Sequence, residues 1–320
     1  MKQHINIPDK LLIALGGNAI HPEGIKGTGQ EQFDFAAAAA TALLPLLEKV
    51  PNLLFTFGNG PGVGKVLMRQ AIASKRVASM PLDICVANSQ GGISYVIMQA
   101  LQNVMRTRDL QRPVAGIICE VLVDPADPAF SRPDKPLGYF FTEEEAQNLA
   151  KEFNWTMRED AGRGWRMVVP SPAPLKVLDS NLLSSLMEQG VIVVTAGGGG
   201  IPVVTKSGDQ LRGIDAVIDK DLTSALLARE LGIEQLLILT SVRNVKINYG
   251  SKNEQNLSLL TLSELERYID EGHFSAGSMG PKVEAARNFL VGGGKRVIIA
   301  HLDEAYPACL GTAGTQIVNE

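Results

Sequence analysis

The chain has 320 residues, of which 45% are apolar, and a formal net charge of −4 at pH 7. This mildly acidic balance argues against nucleic acid or an acidic membrane surface as a binding partner. The length and the apolar content predict a large core, in one large domain or in two lobes. Cys85, Cys119 and Cys309 lack CxxC or metal-ligand spacing. They indicate buried thiols in a reducing compartment, and we expect a cytoplasmic protein.

Short apolar runs rich in Val, Ile and Leu recur along the chain and predict strands. The first run is too short and too interrupted by glycine for a signal peptide or a membrane-spanning helix. Continuous apolarity is typical of strands that are covered on both faces, as in a parallel sheet. Six such runs lie at residues 10–16, 52–58, 114–123, 191–197, 235–242 and 295–301.

Helical patterns lie between these runs. The segments TEEE (142–145) and TLSE (261–264) have the spacing of capping boxes at helix N-termini. Gly190 and Gly232 are predicted at helix C-termini. Strands that alternate with helices predict an α/β fold built on a mainly parallel sheet.

The segment 124–174 interrupts this alternation, because it is rich in Pro, Asp and Gly. It also contains both tryptophans, Trp155 and Trp165, which argues against disorder. We therefore expect a folded excursion from the main sheet, such as a lid.

Glycine-rich turns follow several of the predicted strands, at residues 16–18, 58–62 and 197–200. The carboxyl ends of parallel strands share one edge of a sheet, where backbone N–H groups and helix N-termini bind anions. The alternative is that glycine only permits tight turns. The second turn resembles a P-loop, but Asn59 replaces its first glycine and Val66 replaces its Mg²⁺-binding hydroxyl. We therefore predict an anion-binding cleft that is not a P-loop.

Three lysines are candidates for neutralising the anion. Lys282 follows Pro281 at a predicted helix start, where the helix dipole disfavours a cation unless a phosphate is bound. Lys220 stands between two aspartates at another predicted helix start, and a solvated capping cluster is the alternative there. Lys135 lies between two prolines in the excursion, and prolines restrict the backbone. We therefore expect Lys135 to be held in a fixed position from which its ammonium group closes over a cleft.

Long blocks of the sequence resemble the carbamate kinases of the amino acid kinase family. The resemblance implies a three-layer αβα sandwich around a mainly parallel open sheet, as a single domain over residues 1–320. It also implies a protruding subdomain at about 124–174, inserted in an acceptor-binding amino-terminal half, and a nucleotide-binding half at about 190–320. The blocks are ALGGNAI (14–20), GNGP (58–61), PLDICVANSQGGISY (81–95), DPAFSRPDKPLG (127–138), EDAGRGWRMVVPSP (159–172), GGGGIPVV (197–204), AVIDKDLTSALLA (216–228), INYG (247–250) and EGHFSAGSMGPKVEAA (271–286).

The resemblance further implies reversible phosphoryl transfer, in which ADP and carbamoyl phosphate give ATP and carbamate. Lys220 and Lys282 would stabilise the phosphoryl group, Asp221 would orient these lysines, and Lys135 would close on the substrate phosphate. The acceptor side would be held by Gly16, Gly17, Asn18, Gly58, Asn59 and Gly60. The nucleotide would be held by Gly198, Gly199, Ser241, Tyr249, Met279 and Gly280. Lys65 would be an ordinary residue on a helix surface.

ATP or ADP would bind with Mg²⁺ held mainly through the phosphates, without a protein metal site. The resemblance also implies a cytoplasmic homodimer that forms ATP during arginine or purine catabolism, with small-molecule substrates and no nucleic acid or membrane partner.

The chain departs from the family pattern at a few positions near the expected site. Ala14 stands where many kinases of the wider family carry a lysine, and we expect Lys220 to supply that charge. Phe57 replaces a histidine and Gly62 replaces a glutamine beside the acceptor loop. This loss of polar groups leaves two interpretations open: a changed hold on carbamate, or neutral drift. Ser241 replaces an aspartate near the nucleotide. These changes leave two alternatives open: a kinase for another small carboxylate or phosphate acceptor, and a catalytically silent nucleotide-binding paralogue.

Overall fold

The structure is a computed structural model that describes residues 7–17, 25–160, 162–275, 277 and 279–320. Strands and helices alternate along most of the chain. The strands are β1 (Lys10–Leu15), β2 (Asn52–Phe57), β3 (Val114–Gly116), β4 (Glu120–Val123), β5 (Lys135–Phe141), β6 (Met157–Glu159), β7 (Trp165–Val169), β8 (Pro174–Val177), β9 (Ile192–Thr195), β10 (Ile201–Thr205), β11 (Leu211–Gly213), β12 (Gln235–Thr240), β13 (Val245–Ile247), β14 (Gln255–Leu257), β15 (Leu259–Thr261), β16 (Arg296–His301) and β17 (Thr315–Val318). The helices are α1 (Gly29–Lys49), α2 (Gly60–Ala73), α3 (Leu82–Arg106), α4 (Glu143–Phe153), α5 (Ser180–Glu188), α6 (Lys220–Glu230), α7 (Leu262–Asp270), α8 (Gly280–Val291) and α9 (Ala305–Cys309).

The central sheet has the strand order β15-β17-β16-β12-β1-β2-β9-β3. Its neighbours pair in parallel, apart from the antiparallel pair of β16 and β17. Alternate residues of β1 enter two separate apolar cores: Leu12 packs in one and Ile13 in the other. Because the sheet is covered on both faces, the predicted αβα sandwich is confirmed.

The predicted run at 114–123 forms two strands instead of one. Its first part, β3, extends the central sheet beside β9, whereas β4 belongs to a four-stranded sheet ordered β11-β10-β4-β8. Between them Ile118 is 53% exposed, and the Cys119 N–H donates to the side chain of Gln90 rather than to a strand. The chain therefore leaves one sheet at this point and enters another, which continuous apolarity alone does not reveal.

The segment predicted to leave the main sheet is folded. It contains the antiparallel sheet β5-β7-β6 and the helix α4. Strand β5 lies directly on helix α2: a Cβ added to Gly64 would come within 2.1 Å of the Gly138 Cα. Glycine is required on both sides of this contact, and Gly138 also has a φ of +70°.

Local signals at the helix ends are confirmed. Thr142 and Thr261 each form the predicted capping box. Gly190 and Gly232 have positive φ just beyond the ends of α5 and α6. No helix among the described residues is both long enough and apolar enough to cross a membrane.

Candidate active site

The carboxyl ends of β1, β2, β9 and β12 lie at one edge of the central sheet, because these strands are parallel neighbours. The loop residues Gly16, Gly58 and Gly197 follow three of these strand ends. Helices α2 and α6 begin after loops at this edge, and Lys220 opens α6. The fold therefore brings together the glycine turns and helix starts that the sequence indicates.

The glycine turns have a structural role in addition to any binding role. The Gly16 N–H donates to the Leu239 carbonyl at 2.9 Å, and the Gly58 N–H donates to the Leu15 carbonyl at 3.0 Å. These two amides continue the parallel sheet, so their N–H groups are already engaged within the sheet. A Cβ at Gly58 would lie 2.8 Å from the Gly17 nitrogen, so the two turns approach too closely for side chains. Asn18 lies outside the described residues.

Two lysines share one buried carboxylate at the starts of α6 and α8. The Lys220 ammonium donates to Asp221 Oδ1 at 2.6 Å, and the Lys282 ammonium donates to Asp221 Oδ2 at 3.3 Å. The Lys220 and Asp221 side chains are 9% and 4% exposed. Helix α8 begins at Gly280 with Pro281 and Lys282 in its first turn, as predicted. The DKD segment is therefore a buried charge cluster at its second and third positions, and only Asp219 is a helix cap.

The environment of the cluster stabilises its charges unequally. Burial alone would raise the pKa of the Asp221 carboxyl, but Lys220 and Lys282 together hold it well below its usual range. Attraction to Asp221 raises the pKa of Lys282. Burial lowers the pKa of Lys220 even though it contacts the same carboxylate, because this side chain is more deeply desolvated and Lys282 repels it. The net charge of the three groups is positive, which suits an anionic ligand.

Polar side chains that the sequence analysis did not single out fix the start of α6. The Ser224 hydroxyl donates to the Lys220 carbonyl at 2.6 Å and lies 2.6 Å from the Thr56 hydroxyl at the end of β2. The Thr223 hydroxyl donates to the Gly199 carbonyl at 2.9 Å. Thr223 and Ser224 are small hydroxyl residues within a predicted helix, and this pattern in the sequence could have indicated that they fix the start of α6.

Lys135 reaches the same helix from the excursion. Its ammonium donates to Asp219 Oδ2 at 2.9 Å, and the two side chains are 22% and 16% exposed. Asp219 also caps α6, because its Oδ1 accepts from the backbone N–H of Asp221. Lys135 therefore contacts the residue that directly precedes Lys220 in the chain.

A cavity of about 180 Å³ adjoins the first two glycine turns. The buried Asn59 side chain lines it and donates to the Ser89 hydroxyl at 2.7 Å. The Asn59 Oδ1 has no hydrogen-bond partner among the described residues. Lys65 also lines the cavity and is only 9% exposed, so its prediction as a helix-surface residue is wrong. Its ammonium donates to the carbonyls of Lys26 and Gly27, which anchors the chain leading into α1.

A second and larger cavity, of about 610 Å³, lies in the carboxyl half. Tyr249 and Met279 line it, together with His273 and neighbouring loop residues. Gly198 and Gly199 are buried; a Cβ at Gly198 would meet the Asn59 side chain at 1.9 Å, and one at Gly199 would meet Ile218 at 2.8 Å. Their lack of side chains is therefore explained by packing. Ser241 is exposed and does not line this cavity.

Comparison with known proteins decides the family. The sequence profile of the amino acid kinase family matches residues 9–301. The chain belongs to the amino acid kinase family.

Several relatives and solved structures carry the name carbamate kinase. The carbamate kinase of Thermococcus kodakarensis is 46% identical over 314 residues, which cover 97% of this chain and 99% of the relative. That of Pyrococcus horikoshii is 44% identical over 313 residues, with 97% and 99% covered. The Giardia lamblia carbamate kinase bound to AMP-PNP is 40% identical, with a TM-score of 0.89 and 99% of each chain covered. A form of that enzyme thiocarbamoylated by disulfiram on a cysteine is 40% identical, with a TM-score of 0.85 and 97% and 98% covered.

Ala14 is the strand position at which the family resemblance leads us to expect a lysine in many related kinases. The Lys220 ammonium lies 3.5 Å from the Ala14 carbonyl oxygen. A positive charge therefore stands beside this strand position, although it comes from α6. This agrees with the expectation that Lys220 supplies the missing charge.

The other departures from the family pattern differ in their consequences. The Phe57 ring is fully buried in the core and packs against Gly197, where an added Cβ would meet it at 2.3 Å. The Phe57 side chain therefore does not line the smaller cavity, which favours neutral drift at this position. Gly62 does line the smaller cavity, and a Cβ there would lie 3.0 Å from the Ile93 Cδ1. Gly62 is thus the departure that shapes the cavity wall.

Proposed function

We propose that the protein is a carbamate kinase, which transfers a phosphoryl group reversibly between carbamoyl phosphate and ADP. The observation that carries this proposal is the buried Lys220–Asp221–Lys282 cluster at the carboxyl edge of the sheet. A phosphoryl group in transfer spreads negative charge over its equatorial oxygens, so catalysis rests on positioning and on compensating charge. Two ammonium groups oriented by one carboxylate supply that compensation, and no covalent nucleophile is needed.

Each of the two cavities is assigned to one substrate. The smaller cavity, beside Gly17, Gly58 and Asn59, takes the carbamoyl side. The cavity lined by Tyr249 and Met279 takes the adenosine, with the nucleotide phosphates directed towards Gly199, Gly280 and the lysine cluster. The Giardia relative bound to AMP-PNP supports nucleotide binding, since AMP-PNP is an ATP analogue.

Mg²⁺ reaches this site on the nucleotide phosphates. The described residues contain no cluster of three His, Cys, Asp or Glu side chains that could hold a metal ion. The site carboxylates Asp219 and Asp221 already bind Lys135 and the two cluster lysines. Mg²⁺ bound together with ATP or ADP would offset the negative charge of the phosphates.

A coupled assay for ATP formation from ADP and carbamoyl phosphate tests the proposal directly. We expect turnover that depends on both substrates and on Mg²⁺. Turnover with acetyl phosphate but not with carbamoyl phosphate would identify a kinase for another acceptor. Retained nucleotide binding without turnover on either acyl phosphate would identify a silent paralogue.

Thiol reagents are expected to leave this activity intact, although disulfiram thiocarbamoylates a cysteine of the Giardia relative. Burial raises the pKa of Cys85 and of Cys119 to about 11 and that of Cys309 to about 12. A buried thiol with a high pKa provides little thiolate at neutral pH. We expect unchanged ATP formation after incubation with disulfiram and no adduct by mass spectrometry, with all three thiols reacting after denaturation. An adduct on the native protein with loss of activity would contradict this.

We also propose a cytoplasmic homodimer. The exposed apolar side chains of Ile84 and Tyr95 on α3 support an interface on that helix. Light scattering of the purified protein tests the dimer, and a monomer would contradict it. Cell fractionation tests the location, and a membrane-bound fraction would contradict a cytoplasmic protein.

A further inference from the structure

Asp219 divides its two carboxylate oxygens between helix α6 and the excursion. Oδ1 accepts from the backbone N–H groups of Asp221 and Leu222, at 2.8 and 3.4 Å. Oδ2 accepts from the Lys135 ammonium at 2.9 Å. The Asp219 side chain therefore caps the helix that begins with Lys220 and Asp221, and it also binds Lys135, which lies 84 residues earlier in the sequence.

The backbone that carries Lys135 is held independently of this ion pair. Lys135 opens β5, which pairs with β7, and the Lys135 position lies opposite Val169. Further along the same strand, Gly138 packs on Gly64 of α2. What remains free is the long lysine side chain, whose rotamers are costly to order. Asp219 supplies the contact that selects one of them.

An ammonium group has three hydrogen-bond donors. One donor of Lys135 is directed at Asp219 Oδ2. The other two have no partner among the described residues and would bind phosphate oxygens while the ion pair is kept. The pair is only partly exposed, so it is less screened by solvent than a surface pair.

We propose that Asp219 is a positioning residue for phosphoryl transfer, which holds the Lys135 ammonium in register with Lys220 so that both positive charges meet the phosphoryl group of the acyl phosphate. This inference rests on the proposed function. Asp219 acts only through other groups: it orients Lys135 by Oδ2 and the start of α6 by Oδ1. Its loss is therefore expected to affect the acyl phosphate and not the nucleotide.

Two variants separate these contacts. Asp219→Asn keeps a capping oxygen for α6 but removes the charge that attracts Lys135, and Asp219→Ser keeps a cap but is too short to reach the ammonium. We expect each variant to raise the KM for carbamoyl phosphate about tenfold, the scale of a small misplacement of a substrate-binding group, with the KM for ADP unchanged. Asp179→Asn, at the helix start of α5, is the matched control and is expected to leave both KM values unchanged.

A double-mutant cycle with Lys135→Met decides whether Asp219 acts through Lys135. We expect the double variant Asp219→Asn/Lys135→Met to be no worse than Lys135→Met alone, with melting temperatures near that of the wild type. Additive losses, or equal increases in the KM values for both substrates, would overturn the inference.

Binding of inorganic phosphate, measured by calorimetry, keeps this test separate from that of the proposed function. If the wild type forms no ATP from carbamoyl phosphate, the proposed function fails, and phosphate affinity then decides the inference. Weaker binding by Asp219→Asn that is not additive with Lys135→Met supports it. Phosphate binding that is absent from the wild type, or equal in Asp219→Asn, overturns it.

Discussion

Lys282→Ala and Lys220→Ala are each expected to lower kcat for ATP formation by at least ~10², the usual scale for one group that stabilises transition-state charge. The reason is geometric: both ammonium groups are fixed on one buried carboxylate, so neither can replace the other without breaking that arrangement. Steady-state kinetics with ADP and carbamoyl phosphate measure the effect. Nucleotide affinity should change much less than kcat, because the lysines act on the group in transfer.

Lys295→Ala provides the matched control. Lys295 is a lysine of the carboxyl half that is 67% exposed and pairs with Glu234 at the surface. A surface ion pair contributes little to stability. The removal of Lys295 is therefore expected to leave the fold, and with it kcat, unchanged. Near-normal kcat in both cluster variants would show that the lysines maintain the fold and do not stabilise the phosphoryl group.

Much of the fold follows from patterns in the sequence because those patterns are local. The runs at 10–16 and 52–58 become β1 and β2, whose residues are buried on both faces of the sheet. The capping boxes follow from hydrogen bonds within four residues. The run at 114–123 was wrongly predicted as one strand, because the strands with which a segment pairs lie far away in the sequence. Strand β3 pairs with β9, whereas β4 pairs with β10 and β8.

The site could be predicted in part. Lys220, Asp221 and Lys282 were recognisable from their positions at helix starts and from the family resemblance, and the fold does bring them together. Lys65 was not, because its burial depends on carbonyl groups 38 and 39 residues away. For Phe57 a local signal was available: it lies two residues after Phe55 in β2, and alternate residues of a strand share a face. Phe55 and Phe57 are buried in the same core.

Asp221→Asn is expected to destabilise the protein at neutral pH by about 3 kcal/mol, because removing one partner of a buried charge cluster leaves its counter-charges uncompensated. The Asp221 pKa is depressed in the folded state, so its contribution is present above the unfolded value of about 4 and is lost as the pH falls towards the folded value. Denaturant unfolding should therefore show a difference from the wild type that is full at pH 7 and shrinks below about pH 4. A difference that stays constant down to acidic pH would contradict a charge-based role.

The same variant should change the pH dependence of catalysis. In the wild type, burial already lowers the pKa of Lys220, and Asp221 opposes that shift. Without the carboxylate, Lys220 loses its counter-charge and remains beside Lys282, so its pKa falls further and its ammonium is lost at a lower pH. The alkaline limb of the kcat profile should therefore move to lower pH in Asp221→Asn, in addition to a lower kcat. Asp179→Asn, at a helix start where the side chain makes no capping hydrogen bond, should reproduce the wild-type limb. An unshifted limb in Asp221→Asn would mean that Asp221 orients the lysines without controlling their charge.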